Sequence, residues 1–479
     1  MYDIAIIGAG IVGSMLARAL SAYDLSICIL EKEHDVAMGA TCANSGIVHA
    51  GYDAPEGSLK ARLNVQGSLM MERIAGELGV PYRRNGSLVI GFGEEDRKAI
   101  RKLYLRGLSN GVSRLRILEG AEARELEPGL SDRVTCALYA PSCAIICPYE
   151  LAIAAAGNAM DNGADLLLDF EVTHMEHKED YFEISSPFRT VCASYVINAA
   201  GIRGEEVAAM VGDSSIRLRP RRGEYLLLDR ECGSLVSHTV FRTPSEKGKG
   251  ILITPTVDGN LLLGPTSEDT EDKEDCSTTA KGLERILAQA GENLRNLPHN
   301  KVITSFCGLR AVGNTGDFIL TSPMRGFVNA AGIESPGLTA APAIAEYLVE
   351  LLRNQGLHLR RKEDFQPIRK PAYAFRNASP EEKNQWIRRD KSYGRVVCRC
   401  ETVTEGEIIA AIRSNPPARD LDGIKRRTRA QMGRCQGGFC MPYLAEILAR
   451  ELGIPCEAVT KSGAGSEICM GRTKEGSME

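Results

Sequence analysis

The chain has 479 residues, 43% hydrophobic and 25% charged, more than one typical domain and ordinary for a globular protein of two or three compact units. Its 58 basic and 62 acidic residues leave a net charge of −4, so no global field draws it to nucleic acid or to an anionic membrane surface. No run of 18 apolar residues occurs, the first residues read as a strand rather than a basic leader, and the fifteen cysteines form an odd set; a cytoplasmic location is expected, with the cysteines as thiols or metal ligands.

The first fifty residues alternate between apolar strands and glycine turns, opening an α/β domain. A short strand at Ser87 to Phe92 precedes a charged helical stretch, and Pro148 to Asn162 reads as a helix followed by apolar strands ending at Asn198. From Arg217 to Pro265 the chain is strand-rich ("GEYLLLD", "GILITP", "NLLLGP" between turn residues), as expected of an inserted sheet domain. Phe327 to Leu352 returns to strand–glycine–helix character. Arg360 to Arg395, rich in charge and proline, reads as a connector, and Cys398 to Gly453 as a compact cysteine-bearing unit; the tail from Lys461 is small, polar and expected to be mobile.

Gly8-Ala9-Gly10-Ile11-Val12-Gly13 follows the first strand and opens a helix, and Glu31 ends the second strand. Glycines there permit a tight turn and let backbone N–H groups approach a pyrophosphate at the helix N-terminus, while an acid at the Glu31 position binds ribose hydroxyls. A dinucleotide is therefore expected. Two features favour FAD: the small polar segment Gly39 to Gly46, with Thr41, Asn44 and Ser45, which would line an extended cofactor, and Gly337-Leu338-Thr339 at a late helix start, whose dipole would stabilise negative charge on a reduced flavin. No second GxGxxG supplies a separate NAD domain.

In order along residues 1–355, "DIAIIGAGIVG", "GATCANSGIVHAGY", "VINAAG", "RRGEYLLLD", "FCGLRAV" and "GIESPGLTAAPAIAE" resemble the D-amino-acid-oxidase-type flavoproteins, in the branch of glycerol-3-phosphate dehydrogenases and L-2-hydroxyglutarate oxidases. The resemblance implies a Rossmann-like FAD-binding domain (1–80, 141–215 and 300–355) with an inserted mixed or antiparallel-sheet substrate domain (81–140 and 216–299). It also adds Lys32, Val172, Ala200, Gly201 and Gly332 to the expected cofactor contacts, and places His49 near the flavin.

Cys398-x-Cys400 and Cys435-x4-Cys440 bring four thiolates into one short stretch, which suits a 2Fe–2S cluster or a structural zinc. Thr404-x-x-Glu407 is a capping box opening a helix, and Met441 to Leu452 reads as another. "VCRCETVTEGEI" and "DGIKRRTRAQMGRCQGGFC" resemble the bacterioferritin-associated-ferredoxin-type domain, which implies iron and a small helical 2Fe–2S domain over 395–455, between a linker (356–394) and a tail (456–479).

Oxidation of an alcohol or amine by a flavin needs a base for the heteroatom proton, and histidine suits it. Of seven histidines, His49 and His238 are the candidates. An anionic substrate calls for guanidinium groups. Arg310 leads, with Arg222 second and Arg242 weaker; Tyr52 could donate a hydrogen bond. The expected protein is a dehydrogenase acting on a small anionic hydroxy substrate, glycerol 3-phosphate first, passing electrons through the cluster to an acceptor protein or a second flavoprotein subunit, itself a possible link to a membrane surface. An L-2-hydroxy acid, an amino or imino acid of the opine type, or a non-catalytic flavoprotein with a zinc-bound docking module are the alternatives.

Overall fold

The computed structural model describes residues 1–244, 250–369 and 375–471. Residues 245–249 of the expected sheet insertion, 370–374 of the expected linker and 472–479 of the expected tail lie outside the described residues. The chain divides into two units, 1–32 with 37–369, and 33–36 with 370–479. Among the described residues no helix is long and apolar enough to cross a membrane.

Among the described residues the larger unit holds an eight-stranded sheet, a nine-stranded sheet and a small three-stranded one. In the first, the buried apolar run Tyr2–Ile7 pairs in parallel with Ile27–Leu30 on one side and Thr190–Asn198 on the other, and Phe327–Ala331 extends the parallel set beyond Thr190–Asn198. Strands buried on both faces read as continuous apolar runs, as residues 4–7 and Ile27–Leu30 do. Helix Ile11–Leu20 crosses between the first two strands, and Gly8 makes the turn at φ +106. A side chain at Gly8 would also meet the carbonyl oxygen of Ala199 at 2.5 Å, so only glycine fits both the backbone and the space.

Among the described residues the second sheet has nine strands. Its longest pairing runs antiparallel from Leu218↔Gly313 to Leu228↔Val302. Strand Val302–Gly313 thus belongs to this sheet, although it falls in the stretch 300–355 expected for the FAD-binding domain; its antiparallel ladder is with Leu218–Leu228. Alternation splits the sheet into two apolar faces. Val240, Leu226, Leu228 and Ile253 pack with Ile286 and Ala290 of helix Ala280–Asn293 on one, while Phe241, Val89 and Leu252 pack with Tyr52, Ile100 and Leu103 on the other.

In the smaller unit, helices Glu405–Arg413, Leu421–Thr428 and Met441–Leu452 surround Ile408, Leu421, Ile424, Leu444 and Leu448. The Thr404–Glu407 capping box is present, and Met441–Leu452 is helical as expected. The expected linker also contains a helix, Pro380–Arg389, opened by a Ser379–Glu382 capping box. Its charged surface hides it from periodicity, but the Ser379-x-x-Glu382 spacing and Pro380 at the first helical position were both legible signals.

Candidate active site and cluster domain

Gly8, Glu31, Ala200 and Gly332 each lie just past the carboxyl end of four adjacent parallel strands, the edge at which open α/β sheets bind ligands. There the carboxylate of Glu31 accepts the N–H of Ala9 at 2.7 Å, and the hydroxyl of Thr41 accepts that of Ile11 at 3.0 Å. These two bonds draw the glycine turn, the second strand and the 39–46 segment together. Gly10 caps the helix without a side chain, and Val12 and Gly13 lie in its first turn, where backbone donors suit an anion. Val172 is half-buried beside Phe170, whose N–H bonds the carbonyl of Glu31; Gly201 and the side chain of Lys32 are exposed beside the same edge.

The 39–49 segment is held on three sides. Asn44 shapes it from within, its amide oxygen accepting from Gly46 and its amide nitrogen donating to the carbonyls of Ala40 and Thr41, and Ser45 is half-buried beside it. The carbonyl of Ala43 lies against Gly308, where a Cβ would come within 2.2 Å. Thr339, in the first turn of helix Gly337–Asn354, accepts the N–H of His49 at 2.9 Å and donates to the carbonyl of Ile47. The Thr339 hydroxyl is thus spent on the protein and positions the loop rather than offering a free side-chain ligand. Gly337 and Leu338, beside it, leave the helix N-terminus as the polar feature.

His49 packs on Phe241 with ring centroids 5.8 Å apart and lines a pocket with Tyr52, Asp53, Val89, Leu103 and Arg242. Tyr52 is buried in the adjoining core, and burial pushes its phenol well above the ordinary value, so it stays protonated. The guanidinium of Arg242 lies 3.9 Å over Phe92 and pairs with Glu292. His238 is elsewhere: it is bound through Nδ1 to the buried carboxylate of Glu127 at 2.9 Å and is absent from the lining around His49. Burial opposes ionisation of Glu127, but hydrogen bonds from His238 and Ser237 outweigh it and hold the carboxyl below its usual range.

Pairing register separates the two arginines. Arg310 is opposite Arg221, and Gly308 opposite Gly223, so Arg310 shares its face with Arg221, Gly223 and the contact to Ala43. Arg222 points to the other face, where it forms an ion pair with Asp275. Arg222, the second candidate, is thus parted from Arg310, and Arg221 shares its face instead; in a doublet of arginines only the register tells which one faces the 39–49 segment. Arg310 donates to the carbonyl of Thr266 at 3.3 Å and to the phenol of Tyr225.

In the smaller unit the cysteines stand as two pairs. Cys400 and Cys435 have sulfurs 3.6 Å apart, close to the roughly 3.7 Å edge of a tetrahedral thiolate site with metal–sulfur bonds of about 2.3 Å. Cys440 donates its thiol proton to Cys398, holding the Cys398 thiol below and the Cys440 thiol above the ordinary value. Backbone N–H groups of Gln431, Glu401, Gly437 and Phe439 also point at these sulfurs, the arrangement that stabilises thiolates. Among the described residues no three metal-ligating side chains converge on one point. Two pairs, each with one cysteine from either motif, fit a binuclear cluster.

A family model described as FAD dependent oxidoreductase matches residues 3–351. The chain belongs to that family. A second model, the BFD-like [2Fe-2S] binding domain, matches residues 396–450, so this enzyme carries FAD and a 2Fe–2S domain on one chain. It is similar to a glycerol 3-phosphate dehydrogenase of Caloramator mitchellensis, 46% identical over 99% of both chains. It is also similar to the bovine (Bos taurus) mitochondrial L-2-hydroxyglutarate dehydrogenase, 34% identical over 56% of this chain and 61% of that one. Among solved structures it resembles L-alpha-glycerophosphate oxidase from Mycoplasma pneumoniae with FAD bound, with a TM-score of 0.74 and 28% identity over 78% of this chain and 99% of that one.

Proposed function

We propose that this enzyme oxidises the secondary alcohol of glycerol 3-phosphate to dihydroxyacetone phosphate and passes the electrons through its 2Fe–2S domain to a protein acceptor. The observation that carries the reading is the full-length likeness to a glycerol 3-phosphate dehydrogenase, which spans both units. Bound FAD supplies the two-electron acceptor for the substrate hydride. His49, on the loop tied to Thr339 and beside Phe241, takes the hydroxyl proton, and Arg310 holds the phosphate in a charge-assisted pair. The proposed ligands of the cluster are Cys398, Cys400, Cys435 and Cys440. The cysteines outside this proposed ligand set stand as thiols, which fits a reducing cytoplasm.

Anaerobic addition of glycerol 3-phosphate should bleach the flavin, and L-2-hydroxyglutarate should not. Bleaching by the hydroxy acid alone would move the assignment to the second group of relatives; bleaching by neither would remove both. Under the first outcome a one-electron acceptor protein should then reoxidise the enzyme only when the cluster is present.

A further inference from the structure

Two cysteines of the smaller unit belong to neither cluster pair. Cys456, just after helix Met441–Leu452, donates its thiol proton to the sulfur of Cys469 across 3.8 Å, and both are partly exposed. The helix of 12 residues that lies between Cys440 and Cys456 rises about 18 Å along its axis, so this pair is not a reserve of cluster ligands. The chain between them turns back on itself: Thr460 bridges to Glu467, and the N–H of Lys461 bonds the carbonyl of Ser466 at 2.9 Å. The two sulfurs are thus held facing each other by the backbone and need to close only to about 2.05 Å to bond.

We propose that Cys456 and Cys469 form a reversible disulfide that clamps this C-terminal hairpin and steadies the cluster loop. A low-molecular-weight disulfide is the oxidant. One thiolate of the pair attacks it, breaking its sulfur–sulfur bond, forming a mixed disulfide and releasing one small thiolate. The second protein thiolate attacks the mixed disulfide and releases the other. The pair loses two electrons to the small disulfide, and the two protons end on the two small thiols.

Hydrogen bonds connect the hairpin to the cluster cysteines. The N–H groups of Leu421 and Asp422 donate to the carbonyls of Thr460 and Lys461, and Asp420, which caps the same helix, accepts from Gly463 at 3.0 Å. The side chain of Gln431 donates to the carbonyl of Leu421 at 2.8 Å, and its own backbone N–H points at Cys398 and Cys440. Fixing the hairpin removes opening motions of the helix start on which Gln431 is anchored. The proposal concerns the cluster domain and stands whatever the substrate.

The test uses the full-length holoenzyme, equilibrated anaerobically at graded ratios of oxidised to reduced glutathione, then alkylated and mapped by peptide mass spectrometry. Cys456 and Cys469 should lose alkylation together, in one transition, giving a cross-linked peptide two hydrogens lighter. Cys469→Ser should instead hold a stable glutathione adduct on Cys456. Both thiols remaining alkylatable at excess oxidant, or glutathione adducts without a cross-link in the wild type, would overturn the disulfide. The coupling is read from loss of cluster absorbance to a chelator: slower by about threefold or more in the oxidised wild type than in the reduced, the size of modest coupling energies, with no difference in Cys456→Ser. Equal rates in oxidised and reduced wild type would overturn the link to the cluster.

Discussion

His49 is placed by its backbone, whose N–H donates to Thr339 and whose carbonyl accepts from Asn64, and by the contact of its ring with Phe241. His49→Asn should lower kcat by about 10²–10⁴, the usual contribution of a general base, while flavin absorbance per chain stays normal. Arg310→Ala should mainly raise KM for the phosphorylated substrate, and Arg222→Ala should not, because Arg222 lies on the opposite face with Asp275; steady-state kinetics on the three variants checks this. His238 belongs to a stability argument instead. Glu127 has a depressed folded pKa, so its contribution is fully present above the ordinary carboxyl value and is lost as pH falls through the folded value. Glu127→Gln should cost about 1–3 kcal/mol at neutral pH, from weakened acceptance of the bonds from Ser237 and His238. Thermal melts below about pH 4.5 should fall more steeply for the wild type than for the variant.

At the level of elements, the glycine turn, the acid at Glu31 and the cysteine spacing were legible because each is fixed by chemistry within a few residues. Glu31 follows the second strand and accepts from Ala9, and Thr41 of the 39–46 segment accepts from Ile11. What the sequence concealed depends on long-range pairing. The arginine doublet needs the register of Leu218–Leu228 against Val302–Gly313, and His238 needs the partner Glu127, 111 positions away. The tie between Thr339 and His49 spans 290 positions and leaves no local signature. The same long-range logic makes the seam between helices Leu59–Leu78 and Gly337–Asn354 sensitive. A Cβ at Gly67 would meet the carbonyl oxygen of Thr339 at 2.1 Å. Alanine in a helix gains about 1 kcal/mol over glycine, but overpacking costs about 1–3 kcal/mol and pushes on the residue that positions His49. Gly67→Ala should lower the melting temperature and release flavin fluorescence on mild heating, where a surface substitution such as Gly76→Ala, with nothing within 4 Å, should not.

Across the whole molecule, two apolar cores of the second sheet and one of the smaller unit are built from separate sets of side chains. The loops of the smaller unit carry left-handed residues at Thr402, Arg429, Gln431 and Gln436, conformations that cost energy unless something else offsets it. Thiolate–metal bonds are the available source, since metal binding in small domains is folding free energy. Calorimetry of the holoenzyme should therefore resolve two transitions, and removing the cluster with a chelator should lower only one of them. Cys435→Ser should do the same while abolishing the cluster's absorbance beyond the flavin bands. In that variant substrate should still bleach the flavin, because the proposed catalytic groups, His49 and Arg310, lie in the larger unit, but reoxidation by a one-electron acceptor protein should fall to the rate of the cluster-free enzyme. A variant that kept wild-type reoxidation without its cluster would show that electrons leave directly from the flavin, and the 2Fe–2S domain would then have to be explained by structure alone.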